Sequence, residues 1–337
     1  MIGKEILMQY YFAPMEGITG YPFRNTFEKY FPGADRYYSP FLVANQTFHF
    51  KKKELRDVAP ENNSTLNLIP QVMTPQADQF VWAVKTLAGL GCDEVNFNLG
   101  CPSATVVTRH KGAGMLMDYD RLDRFFEEVF EELEKLELQE GTESGGLANG
   151  VPGISVKTRI GFSDVKEAAR LTEIFNRYPF CEIIIHARLR EEYYGGKPHR
   201  DVFREMFENL KHPVCYNGDI FTVEDAKMLA QDFPDLKAVM IGRGALRNPA
   251  LFRMLRAAEE GKDPEGAILQ KKELRPYLDD LFENYSREMS GDVQVMFKMK
   301  ELWAHLKVLF PDSEKAMKKL RKAKTRADYE AFLNMIC

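Results

Sequence analysis

Eight short β-rich or apolar runs recur along the first part of the chain: Tyr11 to Pro14, Tyr37 to Val43, Leu66 to Val72, Glu94 to Asn98, Ile154 to Thr158, Glu182 to Ala187, Val214 to Asn217 and Lys237 to Gly242. Between most of them lie charged segments of helical spacing, namely residues 76–90, 119–138, 165–178 and 223–233. A strand that returns parallel to its predecessor needs a long crossover, and a helix is the crossover that satisfies its own backbone. Alternation of this kind therefore predicts an α/β protein with a parallel sheet. The count of eight favours a closed (β/α)8 TIM barrel over an open sheet. No Gly-x-Gly-x-x-Gly follows the first run, which argues further against an open dinucleotide-binding sheet.

After Gly244 the strand signals stop, and apolar spacing at 277–285, 295–310 and 329–336 reads as helix. We therefore expect a catalytic barrel over 1–250 and an all-α helical domain over 251–337. The glycine-rich, polar stretch 139–153 reads as a flexible loop, and because it precedes a strand it is expected on the face opposite the active site.

No apolar run reaches the roughly 18 residues of a membrane span, and the N-terminal segment lacks a secretory pattern, so a cytoplasmic protein without a membrane role is expected. The five cysteines are odd in number and form no Cys-x-x-Cys pair, which predicts free thiols and no metal site. The formal net charge is −4, yet KAMKKLRKAKTR at 315–326 carries seven basic residues and no acid. Such a strip is either a solvated helix face or a surface for a polyanion.

In a barrel the chemistry sits at the C-terminal ends of the strands. The residues there are Pro14, Met15 and Glu16; Gln71; Asn98 and Cys101; Lys157 and Arg159; His186 and Arg188; Asn217, Gly218 and Asp219; Gly242, Arg243 and Gly244. NGDI and IGRG, after the last two runs, have the look of a phosphate cradle, since glycines let backbone N–H groups approach an anion and arginine adds a fork. Lys157 is a solvated strand-end lysine, a cation for an anionic cofactor ring, or a Schiff-base amine. Cys101 is either a buried small apolar residue or, turned by Gly100 and Pro102 toward the substrate side, a proton donor of ordinary thiol pKa near 8.5.

Taken together, APMEG, NLGCPS, VKTRIG, IIIHAR, NGDI and VMIGRGAL, in this order and spacing, resemble the tRNA-dihydrouridine synthases. The PMEG variant and KMKELWAHL look most like the bacterial branch containing dihydrouridine synthase C. The resemblance implies an FMN-dependent enzyme that reduces a uridine of tRNA to 5,6-dihydrouridine with NADPH (or NADH), acts as a monomer, and holds tRNA with its helical domain. It places Pro14, Met15, Glu16, Gln71, Lys157 and His186 on the flavin. Asn217, Gly218, Asp219, Gly242 and Arg243 would hold the ribityl phosphate. Asn98 would contact the uracil, Arg159 and Arg188 are further substrate-binding candidates, Cys101 would be the catalytic acid, and Lys318, Lys319 and Lys322 would meet the RNA. The chain departs from the family at Leu189, where a threonine is usual, leaving Tyr193 or Tyr194 as uracil contacts. The competing readings are an rRNA-directed synthase, a flavin barrel acting on a free pyrimidine, a Schiff-base aldolase built on Lys157, and a non-catalytic RNA-binding protein.

Overall fold

A computed structural model describes residues 7–138 and 150–336. The first strand, β1 (Gln9–Phe12), is followed by β2 (Arg36–Tyr38), β3 (Leu42–Val43), β4 (Leu68–Ile69), β5 (Gln71–Met73), β6 (Glu94–Leu99), β7 (Gly153–Gly161), β8 (Glu182–Leu189), β9 (Val214–Asn217) and β10 (Ala238–Ile241). All pairings are parallel. Tyr37 lies beside Leu68 and Leu42 beside Val72, so β2 with β3 and β4 with β5 are two staves, each interrupted once. The second break is at Pro70, which has no N–H to give the ladder but whose carbonyl still accepts from Asn96 N (2.9 Å). With β1 paired to both β10 and β2, eight staves close into a barrel.

The barrel interior changes character from bottom to top, and β8 alone shows it: its inward positions are Glu182, Ile184, His186 and Arg188. The middle is apolar, filled by Tyr11, Tyr38, Ile69, Ile184, Cys215 and Met240. Cys215 is thus a packing residue. The expected loop at 139–153 falls outside the described residues except for its last four.

At the bottom, Glu182 accepts from Tyr11 Oη (3.0 Å) and Tyr38 Oη (3.4 Å), with Arg36 bridging to Glu94 at 2.9 Å. Burial, and then the charge of Glu94, raise the Glu182 pKa to about 7 against the pull of Arg36 and the tyrosines. A carboxyl that holds its proton more tightly when folded contributes stability that is complete below its unfolded pKa and is lost as pH rises through its folded value. Glu182→Gln, which cannot ionise, should therefore flatten the fall in stability between about pH 5 and pH 7. Urea melts at both ends of that window should differ by about 1–3 kcal/mol less in the variant than in the parent.

After β10 comes the short helix Arg243–Arg247, followed by the α-helices Leu251–Glu259, Lys271–Glu288, Asp292–Leu306, Glu314–Lys322 and Arg326–Leu333. Tyr277 packs edge-on against Phe31 (5.1 Å) of the segment following the first helix, Tyr21–Tyr30. Trp303, fully buried, donates to Tyr329 Oη (3.0 Å). These helices also reach the barrel mouth. Tyr285 Oη donates to Ile18 O (3.1 Å), and Lys298 Nζ donates to Gly17 O.

Candidate active site

The upper end of the barrel opens into a cleft whose wall includes Pro14, Met15, Glu16, Gln71, Asn98, Cys101, Lys157, Arg159, His186, Asn217, Gly218, Asp219, Gly242 and Arg243. Sequence reasoning missed Phe41, which lines the same cleft, as does Tyr194, one of the two tyrosines offered as uracil contacts. Phe41 sits in the gap between β2 and β3, where no strand end marks it. Tyr194 lies in a segment without periodic signal, among residues that only folding returns to the mouth.

Each side chain is held by identifiable neighbours. Met15 N donates to Thr19 Oγ1 (2.8 Å), and Arg24, buried, donates to Thr19 O (2.8 Å), so the turn after β1 has one shape. Asn98 Oδ1 accepts from both Gly100 N (3.2 Å) and Cys101 N (3.0 Å), and Cys101 O accepts from Ala113 N (3.1 Å). Gly112, at φ +51°, lies so close that a Cβ there would come within 3.0 Å of Cys101 Cβ. The backbone that carries the thiol is therefore held by Asn98 and by the facing turn. Burial holds the thiol above its usual range, outweighing the Ser103 N–H, Arg159 and Lys157, so it is protonated at neutral pH.

Lys157 Nζ donates to Asn217 Oδ1 (2.8 Å), and Asn217 in turn donates to Met240 O (2.8 Å). Burial, followed by repulsion from Arg159, lowers the Lys157 pKa to about 8. The amine is a tunable cation at this pH, a property shared by imine-forming lysines. Arg159, almost fully buried, donates to Gly100 O, Leu189 O and Tyr193 O at 2.7–2.9 Å, so it clips the cysteine turn to the segment after β8. His186 is pushed well below its ordinary range by burial and by four nearby cations. Its Nε2 lies 3.3 Å from Arg188 Nη1, an atom that can only donate. The ring is thus a neutral imidazole carrying its proton on Nδ1.

Arg188 does not reach the cleft wall. It is fully buried behind it, donating to Gly195 O and Gly196 O (2.8 Å each) and to Asp219 (2.5 Å). The inward position that sequence alternation assigns it lies one layer beyond the cavity, where the returning 190–199 segment covers it. Asp219 likewise directs its carboxylate at two arginines, Arg188 and Arg243 (2.5 Å each), rather than at an open donor site. Burial would raise its pKa, but these guanidiniums outweigh that and hold it below the usual range. Arg243 is thereby held at the cleft wall, with its guanidinium over the Tyr194 ring (5.0 Å).

The glycine wall has no room for side chains. A Cβ on Gly244 would stand 1.9 Å from Ile220 O, and one on Gly218 would stand 2.2 Å from Tyr216 Oη. Lys318, Lys319 and Lys322 lie elsewhere, exposed on the helix Glu314–Lys322. Lys318 pairs with Glu314 (2.9 Å), and Arg326 is engaged by Glu283 and Glu330. Among the described residues there is no group of three or more His, Cys, Asp or Glu placed to hold a metal, and no helix long and apolar enough to cross a membrane.

Closed barrel and polar mouth together define a (β/α)8 enzyme that works at the C-terminal ends of its strands. The chain belongs to the dihydrouridine synthase family, which it matches over residues 11–335. It is 28% identical over 252 residues to tRNA-dihydrouridine synthase B of Pasteurella multocida, covering 74% of this chain and 69% of that one. It is 25% identical over 331 residues to tRNA-dihydrouridine(16) synthase of Neisseria meningitidis serogroup A, covering 96% and 92%. In fold it is similar to histamine dehydrogenase from Rhizobium sp. 4-9 (TM-score 0.54, 12% identity, 75% of this chain and 46% of that one). It is also similar to the old yellow enzyme from Trypanosoma cruzi (TM-score 0.52, 9% identity, 74% and 88%). Family membership decides against the aldolase reading of Lys157.

Proposed function

We propose that this protein reduces a specific uridine of tRNA to 5,6-dihydrouridine, with FMN as cofactor, NADPH (or NADH) as hydride source and Cys101 as proton donor. The observation that carries the reading is a protonated thiol anchored in the same cleft as Lys157, His186 and a bare glycine wall facing Arg243. That wall suits a phosphate ester, because the backbone N–H groups of glycines lining the cleft can meet an anion and the Arg243 guanidinium beside them adds positive charge. Gly218, Gly242 and Arg243 would hold the phosphate, with Asn217 and Asp219 orienting the cations around it. Pro14, Met15, Glu16, Gln71, Lys157 and His186 would surround the ring.

Bound there, the flavin would supply the hydride that reduces carbon 6 of uracil. Cys101 completes the reaction. As hydride reaches carbon 6, the electron pair of the 5,6 double bond moves toward carbon 5. The S–H bond breaks, its proton forms the new C–H bond at carbon 5, and the thiolate regains a proton from water. Lys157 keeps two further N–H donors beyond its bond to Asn217 for an anionic edge. Arg159 holds the cysteine turn in place and faces the uracil side. Arg188 acts behind them by fixing Asp219 and the 195–196 backbone.

The target base must leave its stack to enter the cleft, at a cost of a few kcal/mol. Residues 251–337, with the strip 315–326, would offset it by binding phosphates. Reversal of charge at Lys318, Lys319 and Lys322 to glutamate should weaken tRNA binding and reduce its salt slope by about 0.7–0.9 for each phosphate no longer neutralised. Titrations at two salt concentrations check this; unchanged affinity would move the RNA surface elsewhere.

The reading as a whole is tested by mapping dihydrouridine in total RNA from cells with and without the gene. Loss at one tRNA position is expected. Position 16 is the first to inspect, since a relative that this chain matches nearly end to end is named for it. Loss in ribosomal RNA, or no loss, would overturn the tRNA assignment.

A further inference from the structure

Four buried polar side chains run in one line across β5, β6 and β7 and end at the backbone of Cys101. Asn98 Nδ2 donates to Gln71 Oε1 (2.6 Å), Gln71 Nε2 to Asn96 Oδ1 (2.7 Å), and Asn96 Nδ2 to Ser155 Oγ (2.8 Å). Gln71, Asn96 and Ser155 have no exposed surface, and Asn98 has almost none. Their polarity follows from one end. The N–H groups of Gly100 and Cys101 can only donate, so the atom of Asn98 that meets them is its oxygen. Its nitrogen then faces Gln71, which must accept with Oε1 and present Nε2 to Asn96. That fixes the Asn96 oxygen on Gln71 and its nitrogen on Ser155. A chain of like-directed bonds strengthens each member, and a buried amide with one bond removed is strongly disfavoured.

We propose that Asn96, which does not line the cleft, is a positioning residue for the proton donor: through Gln71 and Asn98 it sets the place of the Cys101 thiol. The proposal rests on the reading of Cys101 given above. Without an acceptor at 96, Gln71 Nε2 faces hydrocarbon in the barrel interior. Gln71 then leaves its position, the Asn98 amide loses the acceptor that orients it, and the cysteine turn loses its two N–H anchors. Aspartate at 96 keeps an oxygen for Gln71 and takes the Ser155 hydroxyl as donor, so the chain survives from Gln71 onward.

The test compares Asn96→Leu, Asn96→Asp and Ser155→Ala, the last removing only the terminal acceptor should the leucine variant not fold. Two measurements are made. The first is the iodoacetamide labelling rate of Cys101, read by peptide mass spectrometry on protein without RNA; Asn96→Leu should change it by about tenfold or more, and Asn96→Asp should restore it. The second separates half-reactions in the flavin-loaded enzyme. Because Gln71 also borders the ring, reduction by NADPH should slow slightly in Asn96→Leu, whereas reoxidation by tRNA should slow far more, about 10–100-fold. Ser155→Ala should shift both readouts in the same direction by less. Folded Asn96→Leu with parental labelling and parental reoxidation would overturn the proposal, as would equal loss in both half-reactions or failure of aspartate to rescue. If the parent itself forms no dihydrouridine, the functional reading fails, while the labelling comparison still decides whether Asn96 positions the thiol.

Discussion

Cys101→Ala is expected to retain a bound yellow flavin and its reduction by NADPH, yet to form dihydrouridine about 10²–10⁴-fold more slowly. The substitution removes only Sγ. The anchors of the turn are backbone atoms, Cys101 N on Asn98 and Cys101 O on Ala113, and they persist in alanine. What disappears is the proton. Because burial holds the thiol above its ordinary range, parental activity should show no decline assignable to this group as pH rises across neutrality. Stopped-flow reoxidation of the reduced enzyme by tRNA, with dihydrouridine counted by nucleoside mass spectrometry, measures the effect. Full dihydrouridine formation by the alanine variant would remove Cys101 from the chemistry.

Gly244→Ala should empty the cofactor site without touching a single side chain of it. The added Cβ would lie 1.9 Å from Ile220 O, a backbone atom that no rotamer change can move aside. Relief requires the turn after β10 or the turn after β9 to shift, and these two turns make up the glycine wall. Overpacking of this kind costs about 1–3 kcal/mol. The variant should melt earlier than the parent and lose flavin on gel filtration, while Gly266→Ala, with nothing within 4 Å of the added Cβ, should do neither. Parental melting and flavin content in Gly244→Ala would show that the wall tolerates displacement.

Much of this architecture is legible before folding because it depends on local pattern. Period-two and apolar runs find the staves, and the residues closing each run fall at the barrel mouth by topology alone. The helix that begins at Tyr119 starts where its sequence signal starts and holds through 138, the last described residue before 150, since its apolar spacing is long and uninterrupted. The breaks in the second and third staves carry only the prolines themselves as signal, since Pro40 and Pro70 cannot donate to a ladder yet sit inside runs that otherwise read as continuous.

Side-chain roles are harder to read. Alternation along β8 gives His186 and Arg188 the same inward direction, but only the return of 190–199 over the barrel distinguishes a cleft residue from one behind it. Asp219 reads as part of a phosphate cradle, and the fold gives its carboxylate to two arginines. Asn96 carries no signal at all, since an asparagine in a strand points to chemistry only when the neighbouring staves supply Gln71 and Ser155.

The sequence by itself determined the eight-unit barrel, the helices after it and the set of groups delivered to the mouth, because strand alternation and turn residues are short-range constraints that each segment obeys alone. Which groups meet, which neutralise one another and which face the cleft was decided by tertiary structure. Those outcomes turn on hydrogen bonds of 2.5–3.3 Å between residues tens of positions apart, as in Arg188 with Asp219 and Lys157 with Asn217, and only closure of the barrel fixes them.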